Sequence, residues 1–169
     1  MTKRFLTIIF VLTAFVFSAN AQLRVFIDDN DGPFTNIRNA PKGKIVSKVS
    51  ATSGIMLTVV YQKNGWWYID GNDYWDPETD TGYFAGSTTG YWIHSSVLAV
   101  GTRNYGGEKL SLRKSPASNA PVIFSFKDER LLRPIDIRGS WVKVKTYDGK
   151  HEGWIEDEWL CGNSVTNCI

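Results

Sequence analysis

The chain repeats itself. Displaced by 75 residues, "TNIRNAP" (Thr35 to Pro41) falls on "LSLRKSP" (Leu110 to Pro116), pairing Arg38 with Arg113 and Pro41 with Pro116. At the same displacement "NGWWYI" (Asn64 to Ile69) falls on "GSWVKV" (Gly139 to Val144), pairing Trp66 with Trp141 and Ile69 with Val144. A later block, "YWIHSSVL" (Tyr91 to Leu98), matches "GWIEDEWL" (Gly153 to Leu160) at a displacement of 62. A repeat constrains the fold more than any local pattern, because both copies must form the same supersecondary unit.

The two displacements differ by 13 residues, an insertion in the first copy between Ile69 and Trp92. The second copy crosses the same interval with "KTYDGKHEG", whose Asp148-Gly149 predicts a type I′ hairpin turn. The first copy is therefore expected to replace a tight turn with a long loop. Each copy holds short runs rich in β-branched and aromatic residues: "SKVS", "MLTVVYQ", "WWYID" and "YWIHSSV", then "VIFSF", "RLLRPIDI", "WVKVKTY" and "EGWIEDE". Gly, Pro, Asn, Asp and Ser separate them, as turns require. No window sustains an apolar period of 3.6 over three turns, so little helix is expected. The predicted fold class is all-β, two tandem small β-barrels, each burying the edges of its own curled sheet.

Taken together, the "hxhRxxP" opening, the "GxWxxV" strand and the "GWhxxxxh" close of each half resemble the bacterial SH3-like (SH3b) domain. Those motifs read "TNIRNAP", "NGWWYI" and "YWIHSSVL", then "LSLRKSP", "GSWVKV" and "EGWIEDEWL". The first half departs from the pattern in its long loop and in Tyr91, which stands where Gly is usual; the second half keeps Gly153. The resemblance implies two SH3-like barrels acting as a binding or targeting module. Such domains in exported bacterial proteins are associated with cell-wall peptides, glycans or partner proteins, and often accompany a wall hydrolase domain, which this sequence does not show.

Thr2-Lys3-Arg4, the apolar run Phe5 to Phe17 and Ala19-Asn20-Ala21 have the three parts of a secretory signal peptide. Cleavage is expected after Ala21, giving a secreted or periplasmic chain. No cysteine near that point offers a thiol for a lipid anchor, and no membrane insertion is expected after cleavage. The expected organisation is signal peptide 1–21, first SH3-like domain 22–99, second domain 100–160 and tail 161–169. Of the 19 Lys and Arg, Lys3 and Arg4 lie in the leader, so the remainder meets 17 Asp and Glu with none in excess. That balance gives no electrostatic case for nucleic acid, whose phosphates demand clustered basic residues.

Cys161 and Cys168 are expected to form a disulfide in an oxidising compartment. The alternative, a thiol nucleophile, needs a nearby base, and only His94 and His151 are present. Both read as solvated edge or turn residues, so no catalytic residue is assigned. No cofactor is expected. "DDNDG" (Asp28 to Gly32) lacks the flanking ligands of a calcium loop and reads as a turn. Asp73, Asp76, Glu78 and Asp80 in the insertion are oxygen ligands at near-alternate spacing, either solvated or holding calcium; no metal site is assigned.

Strand alternation sorts the aromatic residues. Trp67 and Ile69 correspond to Val142 and Val144 and should point inward, whereas Tyr68 corresponds to Lys143 and should point outward together with Trp66. Tyr74, Trp75, Tyr83 and Phe84 lie in the insertion and are surplus to the repeated core. They either cover the barrels or form a platform for a sugar, a peptide or a protein. The candidate ligand-binding set is Trp66, Tyr68, Tyr74, Trp75, Tyr83 and Phe84. The short connection Ala99 to Gly107, with Tyr105, would hold the halves close and make a groove between them a second candidate site. The preferred function is non-enzymatic binding of cell-envelope material (peptidoglycan peptide or glycan) or of an exported protein. The alternatives are an inhibitor or immunity-type protein that inserts the acidic loop into a wall enzyme, and an orphan cell-wall hydrolase.

Overall fold

The computed structural model describes residues 21–80 and 90–168, with the backbone alone at 71–73. The first copy forms β1 (Leu23–Ile27), β2 (Phe34–Arg38), β3 (Ile45–Ser50), β4 (Met56–Lys63), β5 (Trp66–Trp75) and β6 (Tyr91–His94). A strand β7 (Leu98–Thr102) leads into the second copy, β8 (Leu110–Arg113), β9 (Val122–Phe126), β10 (Leu131–Arg138), β11 (Trp141–Thr146), β12 (Glu152–Glu156) and β13 (Leu160–Cys161). Among the described residues the helix is confined to two 3₁₀ turns, Ser95–Val97 and Asp157–Trp159, so the molecule is all-β with little helix, as expected. No helix among them is long and apolar enough to cross a membrane. The expected leader lies outside the described residues.

Strand order repeats as the sequence does. It runs β3-β2-β6-β5-β4 in the first copy, then β1-β7, then β10-β11-β12-β8-β9, which is the same order read in reverse. The boundary expected after residue 99 falls inside β7, which pairs with strands from both ends of the chain. Its neighbours are β1 (Phe26 opposite Ala99), β10 (Leu132 opposite Val100) and β13 (Cys161 opposite Gly101). At the 75-residue displacement β1 falls on β7, Leu23 on Leu98 and Val25 on Val100, and it pairs with β4 as β7 pairs with β10; β1 and β7 also pair with each other and so join the two copies.

Turn chemistry fixes the registers. Asn64 (φ 53°) and Gly65 (φ 81°) both occupy the left-handed region and set Lys63 opposite Trp66, the two-residue hairpin that Asn-Gly favours. The type I′ turn expected at Asp148-Gly149 is corrected: of the two, only Gly149 has positive φ (72°). Thr146 and His151 close a longer loop there, with the Thr146 N–H bonded to His151 O at 2.9 Å. The Asp148 carboxylate accepts from Lys150 N and Thr146 Oγ1, which holds Asp148 in an ordinary turn conformation. The insertion is likewise less of a loop than expected. After an interruption of the ladder beyond Ile69, β5 resumes with Tyr74 opposite Leu57 and Trp75 opposite Met56.

One apolar core spans both copies. Trp67 and Ile69 are fully buried in it, as are their counterparts Val142 and Val144. The Trp67 indole N–H donates to Pro134 O at 3.0 Å, crossing from β5 to β10. Arg133 makes a second bridge: its guanidinium donates to Asp28 O and Leu98 O, both at 2.9 Å, and lies 3.3 Å from the Asp28 carboxylate. It also lies 4.1 Å from the centre of the Tyr147 ring, and the Tyr147 hydroxyl donates to Asp28. Burial, and then that bond to Asp28, push the Tyr147 hydroxyl to a higher pKa.

The Cys161–Cys168 disulfide is formed. The loop it closes packs on distant parts of the chain: Ser164 donates to Gly54 O, and Tyr105 Oη accepts from Cys168 N at 3.1 Å. Gly162 lies so close to Arg24 and Val25 that a Cβ there would collide with their backbone. The disulfide closes a strap that packs on β1 and on Gly54, ahead of β4.

Candidate functional site

Four side chains form a row across the outer face of the first copy. Register places Tyr61 of β4 opposite Tyr68 of β5, Tyr68 opposite Trp92 of β6, and Trp92 opposite Arg38 of β2. Tyr61 and Tyr68 stack with centroids 4.9 Å apart and planes 14° from parallel. Trp92 meets both edge-on, at 5.5 Å and 5.4 Å. Such contacts contribute about 0.5–1.5 kcal/mol each beyond area burial, so the row is held rigid before any ligand arrives. Tyr61 is 47% exposed, while Trp92 is buried.

The second copy has the same row with different chemistry. Asp136, Lys143, Trp154 and Arg113 are opposite one another in the same order on β10, β11, β12 and β8. Lys143 pairs with Glu152 at 2.5 Å, and Arg138 lies 5.1 Å from the centre of the Trp154 ring and 3.5 Å from the Asp136 carboxylate. Tryptophan is thus common to both rows, but the stacked tyrosines stand where the other copy has an ion pair network. The same strand order forms with either pair.

Beside the row, Trp66 packs edge-on against His94 at 5.0 Å, and Arg38 lies 5.6 Å from its ring centre. These three residues, with Asp29, Asn36 and Val97, line a cleft of about 150 Å³. Its equivalent of about 140 Å³ in the second copy is lined by Arg113, Trp141, Glu156 and Trp159 among others. The repeated arginines serve the fold as well. Arg38 donates to Gly43 O at 2.7 Å and Arg113 to Ala120 O at 2.8 Å, each tying down the loop after its strand.

His94 is half-buried, and its ring caps the turn that follows β6. Its Nδ1 accepts from the Ser96 backbone N–H at 3.3 Å and lies 2.8 Å from Ser96 Oγ, capping the 3₁₀ turn. Burial lowers its pKa below the ordinary imidazole value. His151, expected to be solvated, stacks on Phe124 at 3.8 Å.

The remaining candidates separate from the row. Tyr74 packs against the main core, where burial, with a smaller contribution from Asp76, raises its pKa to about 12. Trp75 packs on a second cluster made by Phe26, Met56 and Ala99, and its indole donates to Asp80 at 3.1 Å. Tyr83 and Phe84 lie outside the described residues. Of the acidic set, Asp76 accepts from Glu78 N and Asp80 from Trp75, and the side chain of Asp73 is likewise outside the described part. No group of metal-ligating side chains able to hold an ion occurs among the described residues.

Residues 108–160 match the family of the bacterial SH3 domain. That span runs from β8 through β12 and the adjoining 3₁₀ turn, so the matched region contains the ionic row and not the aromatic one. No curated protein matches the chain. Among solved structures it is similar to NlpC1 from Trichomonas vaginalis at 9% identity and a TM-score of 0.34, covering 90% of this chain and 50% of that one. It is also similar to NlpC2 from the same organism, at 11% identity and 0.33, covering 85% and 49%. The chain spans about half the length of either.

Tyr61 is the site residue that the sequence patterns did not single out. The signal was present: at the 75-residue displacement Tyr61 falls on Asp136, an aromatic residue against an acidic one on what should be the same outward position.

Proposed function

We propose that this chain is an exported, non-enzymatic binding module built from two SH3-like units, and that it holds cell-envelope material on the aromatic row of the first unit. The observation that carries the reading is the exchange at matched positions, Tyr61 and Tyr68 in one copy for Asp136 and Lys143 in the other. A stacked, partly exposed pair that packing does not demand is suited to the apolar face of a sugar ring or to a peptide. Trp66 and Arg38 extend that surface with an indole edge and a cation. The disulfide and the bacterial SH3 match of the second unit support an extracytoplasmic setting. Co-sedimentation with insoluble peptidoglycan tests the reading: Trp66→Ala and Tyr68→Ala should each release the chain, and retention by both variants would refute it.

A further inference from the structure

A cavity larger than either cleft lies elsewhere. It holds about 490 Å³ between β7, the start of β10 and the disulfide loop, within the ~300–1,000 Å³ of small-molecule sites. Phe26 and Leu131 supply apolar surface, and the ring of Tyr105 stands at one side. The other side is the loop closed by Cys161 and Cys168, which presents Asn163, Thr166 and Asn167. That loop is braced from within, since Asn163 Oδ1 accepts from Val165 N and Thr166 N at 2.8 and 3.0 Å and its amide donates to Thr166 Oγ1. A rim ordered in advance reduces the entropy lost on binding.

The charges at this cavity are unequal. Arg130 lines it; one guanidinium nitrogen is bonded to the Asp128 carboxylate, which balances its charge, the group covers the Phe126 ring at 4.3 Å, and its buried Nε has no hydrogen-bond partner among the described residues. Glu129, also lining it, has no ion-pair or hydrogen-bond partner among the described residues and is exposed to solvent. The uncompensated charge at the cavity is therefore a carboxylate. Tyr105 Oη accepts from Cys168 N, which leaves its own hydrogen to donate.

We propose that this cavity binds a short peptide bearing a free primary ammonium group, with the ammonium against Glu129, its carbonyls taken by the Tyr105 hydroxyl and the loop amides, and an aliphatic stem over Phe26 and Leu131. The charge pattern favours a cation over an anion, and the amide and hydroxyl rim favours a peptide over a purely apolar ligand. The site is separate from the aromatic row and does not rest on that row binding anything.

Calorimetric titration of the purified chain at low salt decides it, using Ala-Ala-Lys, the same tripeptide with both amines acetylated, and N-acetylglucosamine as the saccharide arm. The free tripeptide should bind, and acetylation or Glu129→Gln should each weaken it about tenfold, as loss of one charge-assisted bond implies. Tyr68→Ala should leave this titration unchanged, which separates the result from the fate of the aromatic row. Equal binding of the acetylated peptide, no effect of Glu129→Gln, no binding of the free peptide, or binding of the saccharide alone would each overturn the assignment.

Discussion

The Trp67 indole nitrogen lies 3.0 Å from the carbonyl oxygen of Pro134, a buried hydrogen bond between residues 67 apart in the chain. It joins β5 of the first copy to β10 of the second inside a single apolar core. Trp67→Phe keeps an aromatic ring there but leaves the Pro134 carbonyl without its donor, at a cost of about 1–3 kcal/mol. Urea denaturation should show that loss as a lower midpoint with an unchanged slope, in one transition rather than two. Two resolved transitions in the wild type would mean that the copies unfold independently.

The strap makes a second test. Replacing both Cys161 and Cys168 by Ser should cost roughly 2 kcal/mol from the short closed loop. Gly162→Ala keeps the disulfide but forces a Cβ into the Arg24–Val25 backbone, so the loop must lift away from β1. The expected outcome is faster reduction of Cys161–Cys168 by dithiothreitol in Gly162→Ala than in the wild type; equal rates would show that the loop does not depend on its contact with β1.

His94 predicts a pH response. Burial lowers its folded pKa below the unfolded value of about 6.5, so the stability it contributes is complete above that value and is lost as pH falls through the folded pKa. Protonating Nδ1 would also abolish its acceptance of the Ser96 N–H. An NMR titration of the ring protons should give a midpoint below 6.5, and a midpoint at or above it would contradict the half-buried, capping role.

Much of this was legible in the sequence because the repeat supplies its own control. Aligning Trp67 and Ile69 with Val142 and Val144 separates inward from outward positions without any other protein, and all four are fully buried. The strand runs and the disulfide were readable for similar reasons, from local alternation and from a lone pair of cysteines. β1 was not, since Leu23–Ile27 directly follows the expected leader, shares only Leu23 and Val25 with its counterpart Leu98–Thr102, and is defined by pairing with β4 and β7 far along the chain. Nor did residue types disclose that Tyr74 and Trp75 continue β5, because that depends on Leu57 and Met56 being available across the ladder. The turn at Asp148 shows a different limit. The dipeptide suited a two-residue hairpin, but the bonds that the Asp148 carboxylate accepts from the Thr146 hydroxyl and the Lys150 backbone N–H favoured a longer one.

The exchange of Tyr61–Tyr68 for Asp136–Lys143 gives a transplantation test. Placing the second copy's residues in the first, Tyr61→Asp with Tyr68→Lys, should preserve the β-sheet circular dichroism, because the same row accepts that pair in the other copy. A loss of folded signal would mean that the tyrosines serve packing after all.

Whether the aromatic row holds envelope material is decided by co-sedimenting that double variant and the wild type with insoluble peptidoglycan, read as the fraction bound against polymer concentration. The wild type should pellet with the polymer, and the folded double variant should need roughly tenfold more polymer or stay in solution, as loss of an aromatic anchor pair implies. Equal pelleting of the two folded proteins would contradict a binding role for the row.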